Sequence, residues 1–327
     1  MGSICDGSES MAIIKNRNGA MYTVAAIIVV LITLIAIAAK NELHLRESFS
    51  SEEIRINTMN EFMKDVQKDL SRGISIASYR ALLAILQAET EKGSFLNDVS
   101  GAFKEAFLNG SINKTGMPII ENATIINWTN RIKEQAAKIG IQSEFKINNL
   151  SIEQISPWEI SVNSTVSINL LDEKNTASWN SIKNISVILN IIGIEDPVYI
   201  IGTYGRVSNI IAQNDFGLAP LQNLEKHINN SHYIPSTTAP SYLMRLQGDF
   251  SASENGIESI VNLNELSLQD LPLLQRSNVD YIYFGNDSHS SCQINQTKDG
   301  NYSFFRLDNG AEPLNHLENY GVSCVLS

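Results

Sequence analysis

The fold of this 327-residue chain is best predicted from one stretch, Trp158-Glu-Ile-Ser-Val-Asn-Ser-Thr-Val-Ser-Ile-Asn-Leu170. Apolar residues take nearly every second position in it, and polar residues fill the places between them. Because successive side chains of a strand point to opposite faces, this alternation predicts a half-buried strand. Shorter alternating patterns at 145–152 and 185–191 flank it. Three strands joined without long helices predict an antiparallel β-meander over residues 141–195.

Helical periodicity replaces the alternation on the N-terminal side. Apolar residues recur three or four positions apart between Met59 and Leu86, and Gly93 follows as a predicted stop. The spacing of Ser50 and Glu53 matches a capping box, which predicts that the helix starts there. A second, shorter helix is predicted over 128–138. We therefore expect a helical stalk over residues 41–140.

Patterns on the C-terminal side of Asp196-Pro197 are shorter, and turn residues are denser. They predict a β-rich C-terminal subdomain over 196–327, and the whole chain is expected to be of the α+β class. The candidate strands are 198–203, 241–246, 279–284 and 303–307, and a short helix is predicted over 314–319. His227 and His232 lie around a polar segment, so both are expected to be solvated loop residues.

A strongly apolar run without any charge covers residues 19–39. About 20 apolar residues at 1.5 Å each can cross a hydrocarbon core of about 30 Å. A buried core helix is rarely apolar on every face, so the run predicts a single transmembrane helix over 20–40 after a cytoplasmic leader over 1–19. We therefore expect the lipid bilayer to be a partner of the chain. The Ala-rich end of the run leaves a cleaved secretory signal open as an alternative.

Lys and Arg are almost balanced at the two ends of the run, so the positive-inside rule does not decide its orientation. The N-glycosylation sequons are used instead. All eleven sequons lie beyond the apolar run, which predicts a cell-membrane protein with its N-terminus inside and an extracellular C-terminal domain. Their asparagines are Asn109, Asn113, Asn122, Asn127, Asn149, Asn163, Asn184, Asn229, Asn286, Asn295 and Asn301. Cys292 and Cys324 also lie beyond the run, and we expect a disulfide between them, with two buried free thiols as the alternative.

Composition and missing motifs disfavour several classes of function. The formal net charge is −11 and Lys and Arg are not clustered, so we expect no nucleic-acid partner. The sequence contains no G-x-S-x-G, P-loop or H-E-x-x-H motif, and we expect neither an enzyme nor a cofactor. Cys and His residues lack the spacing of metal ligands, so no metal site is expected. Asp280, Tyr281, Tyr283 and Arg245 could line a polar cleft, but a structural ion pair or an exposed face is favoured.

The stretch Lys15-Asn-Arg-Asn-Gly19, followed by Ala20 and the apolar run, resembles the leader of type IV prepilins. In that family a peptidase cuts after a glycine that follows basic residues, and the hydrophobic helix stays on the mature protein. The resemblance implies cleavage between Gly19 and Ala20. These pilins usually carry a glutamate at the fifth mature position, where this chain has Val24. A start at Met11 rather than Met1 would give a more compact leader.

Three further stretches resemble segments of uncharacterised archaeal surface proteins that have one N-terminal membrane helix. They are Pro240–Gly248, Gly256–Asn262 and Val279–Gly285. Two functions are expected from these observations. The first is a pilin-like or envelope protein with a structural or adhesive role, which packs against copies of itself or other surface proteins. The second is an anchored receptor that binds a partner protein, glycan or solute through exposed aromatic residues such as Trp128, Tyr233 and Tyr242.

Overall fold

The computed structural model describes residues 17–215, 221–285, 290–294, 305–309 and 316–324. The leader up to residue 16 and the sequons at Asn286, Asn295 and Asn301 lie outside these ranges. The described chain mixes helices with antiparallel sheet, in agreement with the predicted class. Contacts within the chain group it into two compact units, residues 1–61 and residues 62–327.

Helix α1 (Arg17–Lys92) is a single helix of 76 residues. The helix start predicted at Ser50–Glu53 is wrong, because α1 passes through these residues without interruption. Residues 40–58 contain neither Gly nor Pro, so nothing there breaks the ladder of backbone hydrogen bonds. Gly93 follows the helix with a φ of 67°, which confirms the predicted stop.

One face of α1 is buried within the second unit. Its members recur three or four positions apart, as predicted, and are Met63, Val66, Leu70, Ile74, Ala77, Ala81, Leu82 and Ile85. Two further helices follow, α2 (Val99–Asn109) and α3 (Ile125–Lys138). The Thr124 hydroxyl accepts a hydrogen bond from the Asn127 N–H at 3.0 Å and caps α3, which therefore begins three residues before the predicted start.

The predicted meander is confirmed as a three-stranded antiparallel sheet whose strands neighbour each other in chain order. Two residues form each strand of the small hairpin that precedes it, β1 (Ser111–Ile112) and β2 (Thr115–Gly116). The sheet consists of β3 (Ile141–Ser156), β4 (Glu159–Asp172) and β5 (Ser178–Asn190).

The two faces of this sheet differ in chemistry, as the alternation predicts. The apolar residues of β4 that point inward are buried, and they are Ile160, Val162, Val166, Ile168 and Leu170. Trp128 of α3 meets Phe145 of β3 edge to face, with ring centroids 6.2 Å apart. The Gln67 side chain of α1 donates a hydrogen bond to the Ser181 hydroxyl of β5 at 3.2 Å. Helices α1 and α3 therefore contact the inner face, whereas the outer face carries mostly polar side chains together with the exposed Leu171, Ile182 and Ile188.

Three of the predicted C-terminal strands are wrong, because these segments are helices. Residues 198–203, 241–246 and 279–284 correspond to α4 (Pro197–Gly202), α6 (Tyr242–Gln247) and α8 (Asp280–Phe284). Five or six residues are too few for periodicity to separate a helix from a strand.

Capping residues were the more informative signal in these short segments. The Asp196 carboxylate accepts a hydrogen bond from the Val198 N–H at 2.9 Å, and Pro197 occupies the first turn of α4. Gly248 closes α6 with a φ of 66°. Both signals are typical of helix ends rather than of strands.

The remaining elements of the C-terminal region are short. They are α5 (Leu221–Asn230), β6 (Tyr233–Pro235), β7 (Ile257–Ser259), α7 (Leu263–Leu268), β8 (Ser291–Gln293), β9 (Arg306–Asp308) and α9 (His316–Asn319). Strand β6 pairs with β7 and β8 pairs with β9, both antiparallel. The helix predicted over 314–319 is found over its described residues, and β9 overlaps the strand predicted over 303–307. The described part of this region is thus a mixture of short helices and three-residue strands rather than β-rich.

The predicted disulfide is present. It joins Cys292 of β8 to Cys324, with the two Cα atoms 5.6 Å apart. Both cysteines contact an apolar cluster that includes Leu307, Tyr320 and Val322. The bridge therefore fastens the residues after α9 to the β8–β9 pair.

A buried ion cluster lies at the centre of the C-terminal region. The guanidinium group of Arg245 forms a fork with both carboxylate oxygens of Asp280, each at 3.1 Å, and one of its nitrogens lies 2.6 Å from the Asp196 carboxylate. All three side chains are fully buried. The favoured interpretation of Arg245 and Asp280 as a structural ion pair is confirmed, although both residues lie on helices rather than strands.

Neutral groups also donate hydrogen bonds to the two carboxylates, which together carry one more charge than the guanidinium group. The Tyr233 hydroxyl donates to Asp196 at 2.8 Å, and the N–H and hydroxyl of Ser259 donate to Asp280 at 3.0 and 2.7 Å. Arg245 also donates to the Ile257 carbonyl. Hydrogen bonds of this kind are needed to offset the desolvation of three buried charges.

Removal of the cation should destabilise the protein strongly. Arg245→Met leaves Asp196 and Asp280 buried without a positive partner, and we expect the free energy of unfolding to fall by about 3–5 kcal/mol. Urea unfolding of the full-length protein in detergent measures this change. Arg206, an exposed arginine bonded to the Gln269 carbonyl at 3.4 Å, supplies the control. Arg206→Met should change stability by no more than about 0.5 kcal/mol, and equal effects of the two substitutions would contradict a structural role for the cluster.

Candidate functional site

The apolar segment of α1 is the first candidate functional feature. Among the described residues, Val24–Glu42 is the one helical stretch long and apolar enough to cross a membrane, with a mean hydropathy of 2.4. None of this stretch is buried against the rest of the chain. Gly19 and Ala20, the candidate cleavage pair, lie in the first turn of α1. A contiguous apolar surface of this size is typical of a segment that contacts lipid or another chain.

The sequon asparagines that the structure describes are accessible. Six of them are exposed and are Asn109, Asn113, Asn122, Asn149, Asn184 and Asn229, whereas Asn127 and Asn163 are half-buried.

Three of these asparagines share the outer face of the sheet. Asn149 and Asn184 lie opposite Thr165 on either side of β4, and Asn163 is two residues from Thr165 along the strand. The Thr165 hydroxyl donates a hydrogen bond to the Asn184 side chain at 2.9 Å. The outer face of the sheet therefore groups acceptor asparagines that sequence spacing alone places far apart.

Two aromatic residues expected to be exposed for recognition are core residues instead. Tyr233 and Tyr242 are fully buried. His227, expected in a solvated loop, is also buried, because α5 turns it toward the His232 carbonyl and the hydroxyl of Tyr320. Burial likewise excludes these residues, and the Arg245–Asp280 pair, from an open polar cleft.

A second buried polar cluster surrounds His316. Its Nδ1 atom lies 2.7 Å from the Asp308 carboxylate, and its Nε2 atom lies 3.0 Å from the Glu258 carboxylate. The Ser277 hydroxyl donates to the other oxygen of Asp308 at 2.7 Å. Because both ring nitrogens face carboxylates, His316 can satisfy both only as a protonated, doubly donating imidazolium.

This arrangement contains the residue types of a catalytic triad without its order. In a triad the serine contacts the histidine, which acts as the general base. Here Ser277 contacts Asp308, and both nitrogens of His316 are occupied by carboxylates. Ser277 itself is fully buried, so the described residues of the cluster are suited to stabilising the fold. In the part of the chain that the structure describes, no group of three or more His, Cys, Asp or Glu residues is arranged to hold a metal ion.

A groove with a volume of about 510 Å³ lies between α1 and the N-terminal end of α3. Arg72, Arg80 and Arg131 line it together with Asp69 and Trp128. Of the three aromatic residues expected to take part in recognition, Trp128 is therefore the one that lines an open groove.

The floor of this groove depends on a close approach between α1 and Trp128. A Cβ atom on Gly73 would lie 2.9 Å from the indole ring, which is closer than real side chains come. Glycine inside a helix is otherwise unfavourable by about 1 kcal/mol relative to alanine. The residue at position 73 therefore lets the indole lie directly against the helix.

Searches with this chain against protein-family models, curated proteins and solved structures found no match.

Two buried groups should make the stability depend on pH. Burial alone would lower the pKa of His316, but the carboxylates of Glu258 and Asp308 raise it to about 10. Its stabilising effect is complete below pH 6.5, the ordinary pKa, and is lost as the pH rises toward 10. Burial raises the pKa of Glu89 to about 8. Its contribution to the free energy of unfolding is therefore complete below pH 4.5 and is lost as the pH rises from 4.5 to 8.

We expect the free energy of unfolding to fall between pH 6.5 and 9, with His316 contributing about 2–3 kcal/mol of the fall. In His316→Gln this contribution should disappear. Glu89→Gln is the matched control, since it should remove the fall between pH 4.5 and 6.5, make the fall between pH 6.5 and 8 less steep, and leave the fall above pH 8 unchanged. Urea unfolding of the full-length protein at a series of pH values measures all three slopes. Identical slopes above pH 8 in the wild type and His316→Gln would show that His316 is not charged in the folded state.

Proposed function

We propose that this chain is a membrane-anchored surface protein of the pilin-like type, with a structural or adhesive role and no catalytic activity. The observation that carries the proposal is the uncovered apolar segment Val24–Glu42, which continues in the same helix into residues that build the core of the second unit. An N-terminal apolar helix followed by an antiparallel sheet is also the broad layout of type IV pilins.

The length and composition of the segment support insertion into a bilayer. Nineteen helical residues at 1.5 Å each approach the hydrocarbon thickness of about 30 Å. Within a helix every backbone group is hydrogen-bonded internally, as the bilayer interior requires. Small residues that permit close packing between helices, or between copies of this chain, are Ala20, Ala25, Ala26, Ala36, Ala38 and Ala39.

Two features of the second unit support an extracellular location. The Cys292–Cys324 disulfide requires an oxidising compartment. The described sequon asparagines are exposed or half-buried, so a glycosyl transferase could reach several of them without unfolding the core.

The leader resemblance predicts the mature N-terminus. Intact mass and N-terminal sequencing of protein from its native membrane should find a chain that starts at Ala20. Gly19→Val should block this cleavage, because the proposed peptidase site ends in a glycine. Ala12→Val, which changes the leader away from the cut, should be processed normally. An uncut wild-type chain that stays in the membrane would rule out the pilin-like form and leave an anchored receptor or envelope protein.

Outward exposure predicts glycans on the sheet. Asn184→Gln should lower the intact mass of the native protein by one glycan. Asn180 is an exposed asparagine on the same face of β5 that is not in a sequon, and Asn180→Gln should leave the glycan mass unchanged. Native protein without glycan at any exposed sequon, and with reduced Cys292 and Cys324, would contradict the proposed orientation.

A further inference from the structure

We propose that the groove between α1 and α3 binds an acidic saccharide, with Arg72, Arg80 and Arg131 holding its carboxylates and Trp128 contacting a sugar ring. This inference concerns the second unit alone and does not depend on membrane insertion or polymerisation. It would give the surface protein a ligand of defined chemistry.

Charge is the first argument for this ligand. The whole chain carries a formal net charge of −11, yet the groove brings three guanidinium groups together with the single carboxylate of Asp69. Within the described residues, no ion pair joins Arg72, Arg80 or Arg131 to a carboxylate. A local excess of two positive charges on an acidic protein matches a ligand with two carboxylates.

Preorganisation is the second argument. Arg80 donates to the Ile119 carbonyl at 3.1 Å, and Arg131 donates to the Asn122 carbonyl at 3.0 Å. Each guanidinium group has five N–H donors, so one bond to the backbone orients the group and leaves the others for an oxyanion. Restricting these long side chains in advance lowers the entropy lost on binding.

The aromatic wall is the third argument. Trp128 is held between Gly73 and Phe145, so its indole is fixed rather than free to move. A flat ring beside charged donors offers apolar contact to the C–H face of a sugar while the guanidinium groups bind its acidic substituents. The volume of about 510 Å³ falls in the usual range for small-ligand pockets. The N-terminal turn of α3, capped at Thr124, adds a weak preference for negative charge.

Digalacturonate, a disaccharide with two carboxylates, is the probe for the test. Asn122 lies at the groove, so the proposal requires that this sequon is unoccupied in the native protein, and the full-length protein is produced without N-glycans for the titration. Isothermal titration in detergent should detect digalacturonate, whereas the neutral disaccharide cellobiose should bind at least tenfold more weakly. Raising the salt concentration should weaken binding of digalacturonate, since the three arginines are exposed.

Matched arginine variants identify the site. Arg72→Gln and Arg131→Gln should each weaken digalacturonate binding about tenfold. Arg206→Gln also removes an exposed arginine that is bonded to a backbone carbonyl, but far along the chain, and should bind like the wild type. If all three variants bind equally, or if cellobiose binds as tightly as digalacturonate, the proposal is wrong.

A further comparison separates recognition of a saccharide from binding of any anion. Trp128→Leu, with its fold checked by circular dichroism, should weaken the binding of digalacturonate. The affinity of the same variant for inorganic sulfate, measured by competition with digalacturonate, should equal that of the wild type. Sulfate that competes as well as digalacturonate in the wild type would overturn the saccharide assignment and reduce the groove to an oxyanion site. Because none of these measurements involves the leader or the apolar segment, their failure would leave the proposed anchoring unaffected.

Discussion

The buried charge of Arg245 is the constraint on which the C-terminal region depends. Asp196 precedes α4, Arg245 lies in α6 and Asp280 begins α8, so one cation fixes three helices of five or six residues. Helices this short do not persist alone, because nucleation is unfavourable and few hydrogen bonds follow it. A buried ion cluster tolerates little displacement, since any lost contact leaves a desolvated charge unpaired. The bonds to Tyr233 and Ser259 extend the same requirement to β6 and β7.

The parts of the fold that the sequence predicts well are those in which a pattern lasts long enough to have a measurable period. The strand over Trp158–Leu170 and the apolar stripe of α1 are of this kind, and both were found. The helices α4, α6 and α8 are shorter than two turns, so neither period could identify them. Arg245 and Asp280 interrupt short apolar runs, and in sequence such residues look exposed. Their burial depends on partners tens of residues away, which no local pattern contains.

The candidate groove shows the same limit. Arg72 and Arg80 on α1 and Arg131 on α3 each resemble the solvated charges of an amphipathic helix, and only the packing of the two helices groups them. One signal was present in the sequence, however. Gly73 interrupts a long helical pattern, and a glycine inside a helix is unfavourable unless another group needs the space. Trp128 is that group. The sequence could therefore have predicted that one side of the groove lies on α1 near residue 73, but it could not have predicted which helix forms the other side.

The distribution of stabilising devices along the chain also bears on where the second unit folds. The α1–α3 helices and the long strands have an extended apolar interface, and the described residues there include no cysteine. The region after residue 290 has strands of three residues and a helix of four, and it carries the disulfide and the His316 cluster. Small cores of this kind usually need covalent or ionic reinforcement. Disulfides form and persist mainly in oxidising compartments, so the covalent reinforcement of this region by Cys292–Cys324 is compatible with folding outside a reducing cytoplasm.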